Sequence, residues 1–130
     1  MEIEIFTVCD YAQDMNGKLV IVGTFDAIFA KTFPAVHPSL SIVGRLRFAD
    51  KEAGNHQFKM SFKNESGVEL VPTLDGNLSV SKPLVGNHST VNIVINLNQI
   101  KFDNPGKYNI ELFLDGEWKS GLAINIAQQE

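Results

Sequence analysis

Apolar and polar residues alternate with a period of two along most of this chain, and Gly, Pro, Asn and Asp interrupt the alternation at short intervals. No stretch between interruptions carries the period of an amphipathic helix, so the pattern predicts an all-β fold. Residues 55–63 (NHQFKMSFK) show it most cleanly: His56, Phe58, Met60 and Phe62 share one face, while Gln57, Lys59, Ser61 and Lys63 share the other. Residues 39–49 repeat it, with Leu40, Ile42, Leu46 and Phe48 inward and Arg45 and Arg47 outward. Residues 88–98 do so again, with Val91, Ile93, Ile95 and Leu97 set against Asn92, Asn96 and Asn98. One wet face per strand is the mark of an antiparallel sheet.

Residues 18–29 (KLVIVGTFDAIF) are apolar on both parities and β-branched at Val20, Ile21 and Val22, which predicts a central strand covered on both sides. Residues 2–9 form the strand before it, and Asn16-Gly17 marks the turn between them, with Asp14 as its side-chain cap. Residues 68–71 and 76–80, separated by Pro72 and Asp75-Gly76, read as short pieces at an edge or at a crossing between sheets. Together the segments predict about eight strands in one antiparallel β-sandwich domain spanning residues 1–130. Asp103, Gly106 and Tyr108 resemble, with one extra residue, the corner that opens the sixth strand of immunoglobulin-like domains, where a Tyr hydroxyl bonds back to upstream backbone. The expected architecture is therefore immunoglobulin-like, with Leu97, Ile100 and Phe102 beneath the corner and a jelly roll as the alternative.

In residues 108–126 (YNIELFLDGEWKSGLAINI), Asp115-Gly116 between two alternating runs predicts a two-residue type I′ hairpin. That turn sets Leu114 against Glu117, and it sets Phe113 against Trp118 on the face opposite Tyr108, Ile110, Leu112 and Leu114. Leu122, Ile124 and Ile126 then have the wrong parity, and a half-buried sheet does not tolerate a slip of one residue. A β-bulge at Ser120-Gly121 would restore the register, pairing Leu122 with Ile110 and Ile124 with Tyr108, and leave Phe113 and Trp118 as an outward aromatic pair. A longer loop around Gly116 would instead turn Trp118 inward and need no bulge.

A net charge of −4, with 11 basic side chains scattered along the chain, offers no concentrated patch for phosphates, so neither nucleic acid nor an anionic membrane is an expected partner. The lone cysteine, Cys9, cannot form an internal bridge. An acidic, alternating start (MEIEIFTVCD) lacks the basic and apolar regions of a signal peptide, and no apolar run reaches transmembrane length. A cytoplasmic location is expected, in which the glycosylation-like triplets at Asn64, Asn77 and Asn87 are incidental.

Catalytic chemistry has one candidate, a Cys9 nucleophile served by His37, His56 or His88, against the reading of Cys9 as a small buried hydrophobe. The histidines lack the short spacing of a metal site and read as turn or rim residues, with His37 in a proline-bracketed loop. Asp10, Asp14 and Asp26 match no calcium-binding loop, and no glycine motif cradles a phosphate. The expectation is no metal and no cofactor.

Cys9-Asp10-Tyr11-Ala12, then Gly17-Lys18, then Gly23-Thr24-Phe25-Asp26 and a proline-containing loop resemble the opening of a family of uncharacterised bacterial proteins, a domain of unknown function. The resemblance continues less specifically through Arg45-Leu46-Arg47-Phe48 and residues 105–108. It implies a small cytoplasmic β-sandwich and transfers no catalytic residue. Gly23, among β-branched residues, reads as a bulge or a close backbone approach. Asp10 and Tyr11 either fix the Asn16-Gly17 turn or, with Asp26, line a small polar pocket at one end of the sandwich.

Three functions follow from these residues. The first is a non-enzymatic binding or assembly module, with an outer sheet face or edge, and Phe113 and Trp118 in particular, meeting a protein partner or a second copy as a homodimer. The second is a small-molecule carrier using the Asp10, Tyr11 and Asp26 pocket. The third is an enzyme built on Cys9.

Overall fold

In a computed structural model that describes residues 1–130, the chain is all-β, with nine strands and one short 3-10 turn, Asp50–Glu52. The strands are β1 Glu2–Met15, β2 Lys18–Thr24, β3 Ala27–Ala30, β4 Ala35–Ala49, β5 Gly54–Asn64, β6 Glu69–Val80, β7 His88–Phe102, β8 Gly106–Leu114 and β9 Glu117–Gln128. They form two sheets in the orders β2-β1-β4-β7 and β3-β9-β8-β5-β6. All pairings are antiparallel except β3 with β9, which is parallel.

The alternation finds its reason in the space between the sheets. Leu40, Ile42, Leu46 and Phe48 of β4 meet Met60 and Phe62 of β5, Ile110 and Leu112 of β8, and Ile124 of β9 in one continuous core. Burial of apolar surface on this scale is the main force holding the sheets together. At the corner before β8, the Tyr108 hydroxyl donates to the Asn104 carbonyl at 2.9 Å, and its ring packs edge-on against Phe102 at 5.1 Å.

The β8–β9 hairpin takes the outward branch of the two expected. Asp115 and Gly116 both have positive φ, 51° and 81°, as a type I′ turn requires. Leu114 pairs with Glu117, Phe113 with Trp118, Ile110 with Leu122 and Tyr108 with Ile124. The irregularity that resets parity falls between Leu112 and Phe113, where Leu112 pairs with Ser120, so Lys119 is the extra residue. It lies just before the expected Ser120-Gly121 step.

Residues 18–29 depart from the expectation of one central strand. They split into β2 and β3, edge strands of different sheets, and Val20 and Val22 are exposed. Gly23 has a φ of 71°, and the Asp10 side chain lies directly over it. At this point β1 leaves β4: Cys9 is its last residue paired with that strand, while Tyr11 through Met15 pair with β2. The resulting ribbon folds back across the outer face of its own sheet. Its tip is held there by the Gly17 carbonyl, which accepts from Asn92 Nδ2 at 3.1 Å and Arg45 at 3.4 Å. Underneath, Cys9, Ala12 and Val43 are buried with Leu19, Ile21 and Val94 in a second small core. Both parities of this segment are apolar because it lines that core and then crosses to the other sheet.

Two smaller expectations change. Residues 69–80 form one edge strand, β6, in which Gly76 is a strand residue beneath the Phe58 ring, not part of a turn. His37 lies within β4, paired opposite Ile100.

Candidate functional site

Two regions carry the candidate residues. The first is the outer face of β5, β8 and β9 near the hairpin tip. Trp118 is 58% exposed there, and its indole N–H donates to Glu111 Oε2. Lys59 Nζ stands 5.0 Å from the centre of the Phe113 ring, a cation–π distance. A Cβ at position 121 would lie 2.5 Å from the Glu111 carboxylate, so Gly121 makes the space in which that carboxylate reaches the indole. Sequence reasoning offered an outward Phe113 and Trp118 as one of two branches and missed Lys59 and Glu111. The strand pairs Lys59 with Phe113 and Ser61 with Glu111 would have located them.

The turn that aims this hairpin is itself pinned. His56 Nδ1 lies 2.6 Å from Asp115 Oδ2, and Nε2 lies 2.6 Å from the Glu52 carbonyl. Asp115 Oδ1 also accepts from the Gln57 backbone N–H at 2.9 Å. With acceptors at both ring nitrogens, the imidazolium is the favoured form. The Glu52 carbonyl, then the Asp115 carboxylate, raises the His56 pKa, and the His56 bond lowers that of Asp115. His56 therefore ties β5, the 3-10 turn and the β8–β9 turn together, with its ring 5.1 Å from that of Phe48.

The second region lies where the ribbon bends. Asp10, Gly23, Thr24, Phe25, Phe29 and His37 line an open cleft of about 410 Å³. Of the three residues expected around a polar pocket, only Asp10 lines it. Tyr11, next in the strand and so facing the other way, is 53% exposed and donates its hydroxyl to Gln13. Asp26 is exposed, and its backbone carbonyl accepts from the Asn125 N–H at 2.8 Å, docking β3 on β9. Nor do Asp10 and Tyr11 fix the Asn16-Gly17 turn; Asp14 Oδ1 does, accepting from the Gly17 N–H at 2.8 Å.

Cys9 is fully buried beneath the ribbon and directs its thiol to the Tyr11 carbonyl at 3.3 Å. Burial pushes its pKa up, the opposite of an activated nucleophile. None of the three histidines is its hydrogen-bond partner: His37 packs against Phe25, His56 against Phe48, and His88 Nδ1 lies 3.2 Å from Asn87 Oδ1. No group of three or more His, Cys, Asp or Glu side chains converges as a metal site, and no helix is long and apolar enough to cross a membrane.

No curated protein matches the chain. Among solved structures it is similar to a β-glucosidase from Listeria innocua in complex with isofagomine, with 10% identity and a TM-score of 0.48. That likeness covers 88% of this chain but only 18% of the glucosidase. Residues 4–127 match a family described as of unknown function, DUF6941, and the chain belongs to that family.

Proposed function

We propose that this chain is a non-enzymatic assembly module that meets a second copy of itself through the outer face of β5, β8 and β9. The observation that carries this reading is Trp118, 58% exposed yet held in one orientation by Glu111. An exposed large aromatic with its polar atom already satisfied is an interface anchor that loses little conformational freedom on docking. Charge on the same face supports a second copy. Lys59 and Glu111 both stand on that face, so a two-fold contact can set each sign against its opposite.

The finer fold reading belongs with this proposal. Pairing of β1 with β4 in one sheet while β3 runs parallel to β9 in the other, together with the Tyr108 bond at the corner before β8, supports an immunoglobulin-like sandwich over a jelly roll. A buried, unbridged Cys9 supports a cytoplasmic location.

Sedimentation velocity across a concentration series tests the function. The intact chain should show a monomer–dimer equilibrium, and Trp118→Ser should shift it to monomer with the melting temperature nearly unchanged. An intact chain that stays monomeric into the high micromolar range, or a Trp118→Ser variant that associates as before, overturns the proposal.

A further inference from the structure

We infer that the cleft at the ribbon bend binds an organic cation, an alkylammonium or guanidinium head joined to an apolar or aromatic tail. The inference starts from Asp10. Its carboxylate overlies Gly23 so closely that a Cβ there would lie 2.7 Å from Oδ2 and 3.2 Å from Cγ. Gly23, with a φ of 71°, thus holds open the room in which Asp10 sits. The carboxylate stands at the wall of the cleft with no partner inside the chain.

Three of the other lining residues, Phe25, Phe29 and His37, are aromatic. Phe25 packs against the His37 ring at 6.0 Å, and Phe29 projects into solvent, 65% exposed. A carboxylate beside aromatic faces is the combination that selects an organic cation: the carboxylate supplies a charge-assisted hydrogen bond and the rings supply cation–π attraction. Ile28, Phe29 and His37 also bound a second, mostly apolar cleft of about 220 Å³ that reaches Phe102 and Ile126. A head at Asp10 therefore has a greasy annex past Phe29 for its tail. This pairing of one fixed polar group with an apolar recess is typical of small-ligand sites.

The same chemistry arrives either as a free amine or as a Lys or Arg side chain beside an apolar residue of another protein. Titration of the isotope-labelled chain, followed by amide NMR, separates these sources and tests the site independently of the Trp118 face. The probes are 4-phenylbutylammonium, the neutral 4-phenylbutanol and the dipeptide acetyl-Phe-Lys-amide. Amide shifts are expected at Asp10, Thr24, Phe29 and His37, with the ammonium binding about tenfold tighter than the alcohol, the size of one charge-assisted hydrogen bond. Asp10→Asn should abolish that preference while leaving alcohol binding unchanged. Phe29→Ser, at an exposed site that leaves folding intact, should weaken both. A dipeptide tighter than the free amine assigns the cation to a protein partner, and the reverse order assigns it to a small molecule. Equal affinity for ammonium and alcohol, shifts that map elsewhere, or no saturable binding by any probe overturns the inference.

Discussion

His56 and Asp115 meet at 2.6 Å across the gap between β5 and the β8–β9 turn, although 59 positions separate them in sequence. This contact fixes how stability depends on pH. The folded pKa of His56 is raised, first by the Glu52 carbonyl and then by Asp115, so its contribution is complete below the ordinary imidazole value of about 6.5 and is lost as pH rises through the folded value. Asp115 is lowered, so its contribution is present above the ordinary carboxyl value of about 3.9 and is lost as pH falls through the folded value. Thermal melts should therefore show the hairpin lock at full strength between those two ordinary values. Stability should decline as pH rises from about 6 to above the raised His56 value, and His56→Gln should flatten that alkaline slope. An alkaline slope identical in both proteins would show that His56 does not carry it.

The Phe58 ring covers Gly76 on the neighbouring edge strand so closely that a Cβ there would overlap it. Gly76→Ala should force the ring off its packing position and cost about 1–3 kcal/mol, the range for overpacking a filled site. Denaturant unfolding measures this. Phe58→Leu in the same background should recover part of the loss, since a smaller side chain removes the clash.

Much of what was legible in the sequence was local. The type I′ turn at Asp115-Gly116, the Asp14 cap, the parity argument that demanded a bulge and the Tyr108 corner each depend on residues a few positions apart, where turn chemistry and period two act directly. The bulge position was less determined, because an extra residue at Lys119 or at Ser120 gives the same one-residue correction. Asp75-Gly76 reads as a turn because nothing local shows the distant Phe58 ring that requires a glycine there. Residues 18–29 mislead for a related reason. Apolar residues on both parities report that both faces are covered somewhere, and they cannot say whether a sheet or a folded-back ribbon provides the cover. The locking role of His56 carried no local signal, since its partners, the Glu52 carbonyl and Asp115, come from a turn and a hairpin brought together only by the fold.

At the corner before β8, the Tyr108 hydroxyl is bonded to the Asn104 carbonyl and its ring packs against Phe62 and Phe102. Tyr108→Phe keeps the ring and removes only the bond. It should cost about 1 kcal/mol, the net worth of a single neutral hydrogen bond, and Tyr108→Ala should cost several-fold more through the cavity it leaves. Equal losses for the two variants would mean that the hydroxyl, not the packing, holds the corner.

Cys9 reports on the ribbon. Its thiol is fully buried under Ala12 and Ile21, and the tip of that ribbon is held to the sheet through Asn92, Arg45 and the Gly17 carbonyl. A thiol so placed reacts only when the ribbon lifts or the whole domain unfolds. Labelling of the native chain with a disulfide reagent should therefore be slow and should follow the opening equilibrium, not the thiol's own chemistry. Asn92→Ala removes two bonds to the tip, to the Gly17 carbonyl and to Asp14 Oδ2, and also the 2.9 Å bond by which Asn92 Oδ1 steadies Arg45. Labelling should then accelerate by roughly tenfold if those bonds together contribute about 1.4 kcal/mol to ribbon closure, while the denaturation midpoint changes little. Acceleration matched by an equal loss of global stability would mean that ribbon and sandwich open as one unit, and that the ribbon is not a separately moving layer.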